Sequence, residues 1–286
     1  MRYTTARRVD PWRNLFKARR NRMHILFDRV GMVDDFERYP LTGRFLMGRS
    51  RHAMGEREKD ILENSVSEIL EFERPHRILA RGEPANRSTI LIEGFIVRTI
   101  EENGRRYIVG IQVPGDFVDL HAYALKRLDH DVVTIGPAKI GHVPHDRIAA
   151  IHRDEPHLSR LFWFSTLLDA AIHRQWTLKL EQLKASRRVA HRFSEIWKRL
   201  EMVGLGRANG FRSPLTQTDL AEMCGTTPIH MNRALSELRR DGIAEFRRGL
   251  VVVRDREKLE RHGDFDPAYL YGDGPLHVEH GLDTLD

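Results

Sequence analysis

The residues best suited to chemistry lie between positions 215 and 253. Thr216 and Asp219 have the spacing of a reciprocal helix cap, in which each side chain serves the other's backbone N–H. The apolar positions Leu220, Ala221 and Met223 then face inward, and Gly225 turns the chain. Thr227 caps a second helix whose first residue is Pro228, where a missing N–H costs nothing. That helix is expected to run to about Arg240 and to stop at Gly242, burying Met231, Ala234, Leu235 and Leu238. Ile229, His230, Asn232, Arg233 and Ser236 are left facing outward. These are groups that read a DNA groove. Arg233 can bond a guanine in bidentate fashion, Asn232 can pair with adenine or a phosphate, and Ile229 can touch a thymine methyl. The amides and helix dipole around Thr227 suit a phosphate oxygen. Residues 244–246 and 250–253 flank Arg247-Arg248-Gly249, a hairpin with a basic tip placed for backbone phosphates. The pattern is that of a winged helix-turn-helix. The plain alternative is a helical hairpin with no ligand.

Charge favours the first reading. Of 286 residues, 41% are hydrophobic and 31% charged, with a net charge of +6. Residues 184–254 hold fourteen Lys/Arg against seven Asp/Glu, whereas residues 255–286 hold three against nine. A basic segment beside an acidic one fits a localised phosphate-binding surface. The single cysteine, Cys224, excludes a disulfide framework, a four-cysteine zinc site and a cysteine-ligated iron–sulfur cluster; it reads as a small core residue. The greasiest run, residues 161–172, is broken by Asp169, so no membrane span is expected. The first thirty residues lack the apolar stretch of a secretion signal, and a cytoplasmic setting is expected.

The elements that must position the reading helix follow from periodicity. Residues 1–22 carry eight Lys/Arg against Asp10 and read as a disordered or dispensable basic tail. A short helix is expected over residues 24–30. Ile61, Val66, Ile69 and Leu70 give residues 56–72 a helical spacing. From Ile78 to about Ile140 the chain alternates and turns often, with a strand-like run over residues 88–100 and a hairpin turn at Asn103-Gly104 before Tyr107. This suggests a small antiparallel barrel or roll. Past Pro156 a helix of nearly thirty residues is expected, with Leu161, Phe164, Leu168, Ala171, Gln175 and Leu178 as one seam, and Phe162, Trp163, Trp176 and Leu180 widening it. That seam reads as a dimer contact rather than as a face buried within one chain. The resulting map is a tail (1–22), a roll with flanking helices (23–152), a dimerisation helix (153–183), a winged domain (184–258) and an acidic tail (259–286). The fold class is α+β.

Over about residues 25–260 the chain resembles the Crp/Fnr superfamily of bacterial transcription regulators. The matching stretches are Arg81-Gly82-Glu83, Ile92-Glu93-Gly94, Asn103-Gly104-Arg105, Pro114-Gly115-Asp116-Phe117 and the block LTQTDLAEMCGTTPIHMNRALSELRRDGI. The resemblance implies a cyclic-nucleotide-binding-like β-roll, a long dimerisation helix and a C-terminal winged helix-turn-helix. It also implies a homodimer on a palindromic promoter site of double-stranded DNA, and it admits RNA polymerase as a further partner. Arg233 matches the family's base-reading arginine. Ile229 falls where many members have a base-contacting glutamate, and Asn232 where many have serine or glycine, so the two best-known operator sequences are not expected. Thr216, Thr227, His230, Ser236, Arg247 and Arg248 complete the expected DNA-binding set.

The sensor half departs from the family's cyclic-nucleotide pattern. The stretches Phe117-Val118-Asp119-Leu120-His121 and Leu128-Asp129-His130-Asp131-Val132 contain neither the ribose-binding glutamate nor the phosphate-binding arginine. An aspartate at that place opposes a phosphate, so cyclic AMP is not expected as the effector and the effector stays unidentified. His121, His130, His142, His145, His152 and His157 cluster in sequence but show no tight ligand pair, and neither a metal nor a cofactor is expected. No nucleophile elbow, phosphate loop or catalytic pair is present, so an enzyme is not expected. The competing function is a ligand sensor whose output is a protein contact rather than DNA binding.

Overall fold

The structure, a computed structural model, describes residues 35–272. The basic tail (1–22), the short helix expected over 24–30 and residues 273–286 lie outside them.

Helix α1 (Glu56–Ser65) leads into a roll of two antiparallel sheets. One has the order β1-β7-β3, from Glu68–Phe72, Ala138–Pro144 and Arg87–Glu93; the other is β2-β6-β4-β5, from Arg77–Leu79, Asp131–Thr134, Ile96–Glu102 and Arg105–Gln112. The β4–β5 hairpin closes as its sequence demands. Asn103 (φ 53°) and Gly104 (φ 71°) both take left-handed conformations, the two-residue turn whose twist matches that of the strands. Ile90, Leu91, Ile96, Val132 and Ile140 of the sheets are fully buried between them.

The helical spacing over residues 56–72 holds only to Ser65. Residues 68–72 instead form β1, paired in register with β7 from Glu68↔His142 to Phe72↔Ala138. The run EILEF alternates as well as it spirals, and its strand partner lies some seventy residues downstream, where no local pattern reveals it.

A four-residue helix α2 (Ala122–Leu125) and α3 (His145–Asp154) precede the long helix α4, which spans Pro156–Gln182. The expected seam of α4 faces inward. Leu161, Leu168 and Ala171 are buried within the chain, and Phe162 meets Phe45 and Phe117 edge to face. The seam surfaces at its last member, Leu178, which is exposed together with Trp163 and Leu167 on the adjoining stripe; Leu180 is exposed as well. Periodicity locates an apolar stripe; it does not say which body covers it.

Beyond α4 come α5 (Ala185–Met202), β8 (Gly210–Arg212), α6 (Gln217–Met223), α7 (Pro228–Arg240), the hairpin β9–β10 (Glu245–Arg247, Leu250–Val252), α8 (Arg256–Gly263) and a 3-10 turn, Pro267–Leu270. One hydrophobic cluster joins Ile108 and Ile111 of the roll to Ile172 and Trp176 of α4, and these to Phe193, Met231 and Leu259 of the C-terminal half. The segment expected to begin an acidic tail at 259 is therefore structured to the end of the described residues: Leu259 and Leu270 are fully buried.

Burial sets the acid response of this fold. It holds the imidazoles of His121, His142 and His191 at a pKa of about 4, below the ordinary 6.5, helped by the Arg98, Arg87 and Arg192 charges respectively. Burial also lifts Asp119 to about 6, against the pull of Thr89 and Arg98. Each histidine is neutral when folded and takes up a proton on unfolding. Its contribution is fully present above pH 6.5 and is lost as pH falls towards 4. Asp119 works in the opposite direction between about 6 and 3.8 but is one group against three. Urea unfolding should therefore show lower stability at pH 5 than at pH 7, and His142→Gln should flatten that slope. A pH-independent midpoint would contradict this account.

Candidate nucleic-acid interface

The first helix of the motif is capped as its sequence requires. Asp219 N donates to Thr216 Oγ1 at 3.1 Å, while Thr216 N and Oγ1 donate to Asp219 Oδ2 at 2.8 and 2.6 Å. Leu220, Ala221 and Met223 of α6 are buried. Cys224 is buried in the turn that follows, and burial pushes its thiol up to about 11, so it is a packing residue and a poor nucleophile.

Thr227 then starts α7. Its hydroxyl accepts from His230 N at 3.3 Å and lies 2.9 Å from His230 Nδ1, so His230 is engaged in its own helix cap. Met231, Ala234 and Leu238 form the buried stripe, and Ser186 Oγ of α5 donates to Glu237 Oε1 at 2.8 Å. The opposite face carries the residues expected to read a groove. Ile229 is 68% exposed, and Asn232 and Arg233 are exposed beside it. Ser236, one turn on, is half-buried with its hydroxyl 3.5 Å from Asn232 Oδ1, and stands at the margin of this face.

The wing is a β9–β10 hairpin paired Leu250↔Arg247, with a two-residue tip at Arg248 (φ 51°) and Gly249 (φ 74°). A Cβ on residue 249 would run into the Ser213 carbonyl, so the tip requires glycine. Strand β8 completes the sheet, with Val251 opposite Phe211. The sequence reading missed β8: three residues ahead of Pro214 carry too short an alternation to be read.

Arg233, Arg247 and Arg248 have no ion pair or hydrogen-bonded side-chain partner among the described residues. Thr216 and Thr227, at the two helix starts, are exposed. The surface thus combines unpaired cations, two helix N-termini and an exposed apolar contact, the chemistry that binds phosphate and reads base edges.

In the roll, the stretch that departs from the cyclic-nucleotide pattern is engaged with its own neighbours. Asp119 is buried, with Oδ1 accepting from Thr89 N at 2.5 Å and Oδ2 from Thr89 Oγ1 at 3.1 Å. Arg98 donates to the Val118 carbonyl and, at 2.5 Å, to Asp169 of α4. Although burial would raise Asp169, Arg98 holds its carboxyl below the ordinary range. The His121 and His130 rings stand 5.7 Å apart, and no group of three metal-ligating side chains occurs among the described residues.

Residues 187–262 match the Crp-like helix-turn-helix domain and residues 69–155 match the cyclic nucleotide-binding domain. The chain is 30% identical over 170 residues to the transcriptional activator protein FnrL of Cereibacter sphaeroides, covering 57% of this chain and 67% of that protein. It is 26% identical over 188 residues to a probable transcriptional activator of Rhizobium leguminosarum bv. viciae, covering 64% of this chain and 76% of that protein. In fold it resembles FixK2 from Bradyrhizobium japonicum, with a TM-score of 0.63 and 23% identity over 68% of this chain and 96% of that one.

The cap geometry gives a measurable consequence. Thr227→Ala removes the acceptor for His230 N and the anchor of the His230 ring, and should destabilise the protein by about 1 kcal/mol. Chemical denaturation checks this; an unchanged midpoint would show that the cap contributes nothing.

Proposed function

The chain belongs to the Crp/Fnr superfamily of transcription regulators, and from that premise we infer that it binds a palindromic promoter site as a homodimer and does so without cyclic AMP. The observation that carries this reading is the exposed start of α7. Ile229, Asn232 and Arg233 are exposed, as are the unpaired cations of the wing, Arg247 and Arg248. In this reading Arg233 selects the base pair, Asn232 and Ile229 refine the choice, and Thr216, Thr227 and the wing hold the phosphate backbone. His230 and Ser236 support that face from within the helix.

The homodimer rests on the outer face of α4. Trp163 is 70% exposed, Leu167 64% and Leu178 42%, and these positions fall on one helical stripe. Solvent-facing aromatic and leucine side chains in such a row have the character of an interface core. Two copies related by a twofold axis would bury them and would present two recognition helices to successive major grooves. The named relatives are activators, so contact with RNA polymerase is the output this reading assigns.

Insensitivity to cyclic AMP follows from charge. The Arg98 guanidinium is committed to Val118 and Asp169, and the buried Asp119 offers a carboxylate where a cyclic phosphate would need a cation. The roll (to residue 152), long helix (153–183) and winged domain (from 184) divide these tasks, and the winged unit extends past 258 to include α8 and Leu270.

Selection of bound fragments from the host's genomic DNA by ligand-free protein tests the whole reading, and enrichment of a palindrome is expected. Arg233→Ala should abolish discrimination between the selected fragment and scrambled DNA while leaving the dimer intact. Arg247→Ala with Arg248→Ala should weaken all duplexes about equally and shallow the dependence of affinity on salt. Absence of any DNA binding would turn the reading to a protein-contact output.

Trp163→Glu with Leu167→Glu should give a monomer by sedimentation and lower affinity for the palindrome more than for a half-site. A dimer of unchanged mass would place the interface elsewhere.

A further inference from the structure

The sensor's β4–β5 hairpin does more than close the roll: its far end grips the helix-turn-helix. Arg106, near the turn, donates from Nη2 to Asp219 Oδ1 at 2.6 Å and from Nε to Glu222 Oε2 at 2.7 Å, so one guanidinium holds two carboxylates of α6. Arg105, beside it, donates to the Thr226 carbonyl at 3.1 Å, one residue before the cap of α7, and its guanidinium lies 5.0 Å over the Tyr107 ring. The two oxygens of Asp219 are divided between tasks. Oδ2 caps α6 through Thr216, and Oδ1 receives the sensor's arginine. The Asp219 and Glu222 side chains are 9% and 16% exposed and that of Arg106 40%, so the pairs are partly shielded from water. Ion pairs in such a setting hold geometry better than exposed ones.

We propose that Arg106 is a positioning residue for DNA recognition, fixing the tilt of the helix-turn-helix against the sensor roll and offsetting one of the two negative charges that α6 carries at Asp219 and Glu222. The contact lies on the flank of the motif. It leaves Ile229, Asn232, Arg233 and the wing tip exposed, so the hairpin braces the reading face and does not cover it. In a bound helix-turn-helix the first helix crosses the phosphate backbone, and there Asp219 and Glu222 would repel phosphate if unpaired. Arg106 directs Nε and Nη2 at these two carboxylates, so its effect on binding passes through α6.

This inference rests on the DNA-binding reading for its affinity arm, and a second arm needs no DNA. In full-length protein, Arg106→Ala should lower affinity for the DNA fragment selected by the wild-type protein about tenfold, with the salt slope unchanged. Arg106→Lys, which can serve one carboxylate at a time, should recover part of the loss. Without DNA, hydrogen exchange of the amides in residues 217–227 should quicken in Arg106→Ala while those of β3 and β7 stay protected.

Unchanged or increased affinity would overturn the proposal, the latter because it would make the clamp inhibitory. A salt slope reduced together with affinity would overturn it by making Arg106 a direct phosphate contact. If the wild-type protein selects no fragment, the DNA reading itself fails; exchange in residues 217–227 that is unaltered by Arg106→Ala then overturns the clamp as well. Global loss of protection in Arg106→Ala would transfer both measurements to Arg106→Lys, with the same criteria.

Discussion

The arrangement of the whole chain depends on one buried carboxylate, Glu195 of α5. Its side chain is sealed from solvent and accepts hydrogen bonds from Trp176 Nε1 of the long helix at 3.1 Å and from the Tyr269 hydroxyl of the C-terminal turn at 2.8 Å. Arg199, one turn along α5, lies 3.5 Å from Glu195 and reaches outward to the roll, where it meets Asp116 at 2.5 Å and the Ile111 carbonyl at 2.9 Å. Roll, long helix, winged domain and C-terminal segment thus converge on a single ionic centre. Taking such charges out of water costs several kcal/mol per ion, and the attraction offsets that only when every partner is in place. A network of this kind contributes little net stability but discriminates sharply between one arrangement and its neighbours. Arg192 strengthens the point. Its three nitrogens have no hydrogen-bond partner, and its guanidinium lies 3.7 Å over the Trp176 ring, where a desolvated cation–π contact worth about 2 kcal/mol offsets part of the cost.

The two ends of the described chain close over this centre. Arg49 Nε donates to the Leu270 carbonyl at 2.9 Å, Tyr271 meets Phe164 of α4 edge to face, and Lys179 of α4 pairs with Asp264 at 2.5 Å. The His191 ring stacks on Tyr269 and sits 3.1 Å from the Gly263 carbonyl. Residues 264–272 lie beyond the stretch that matches the helix-turn-helix domain, yet they supply the Tyr269 hydroxyl to Glu195. The winged domain is therefore held from its far side as well as through its junction with α4.

What the sequence disclosed, and what it concealed, follows from the range of each interaction. The caps at Thr216/Asp219 and Thr227/Pro228 and the Asn103-Gly104 turn are settled within four residues, and all stand as read. Strand β1 could not be read because its partner is β7, and the seam of α4 was read as a dimer contact although most of it is covered within the chain by elements distant in sequence. Helix α5 hid for a different reason. His191, Arg192, Glu195 and Arg199 look like a solvated face, but all four are buried against partners of their own: Glu195 with Arg199 and Tyr269, His191 with Gly263 and Tyr269, and Arg192 over the Trp176 ring. Of the candidate interface, the exposed residues of α7 were legible and the hairpin that contacts α6 was not: Arg105 and Arg106 sit over a hundred positions before α6.

That hairpin also joins the two ends of the sensor's task. Arg98 on β4 binds the Val118 carbonyl and Asp169 of the long helix, while Arg106 on β5, paired with Glu101, binds α6. The two grips lie about 10 Å apart along the strands at 3.4 Å per residue. Between them the ladder is continuous apart from one irregularity between Arg98 and Thr99, which bends the ribbon beside the buried arginine. Movement of α4 against the roll must either break the Arg98–Asp169 pair or carry the hairpin with it. In the second case the first helix of the reading motif moves too. The ionic centre at Glu195 and the hairpin reach the C-terminal half from different sides, so its placement against the roll is not left to the short junction between α4 and α5.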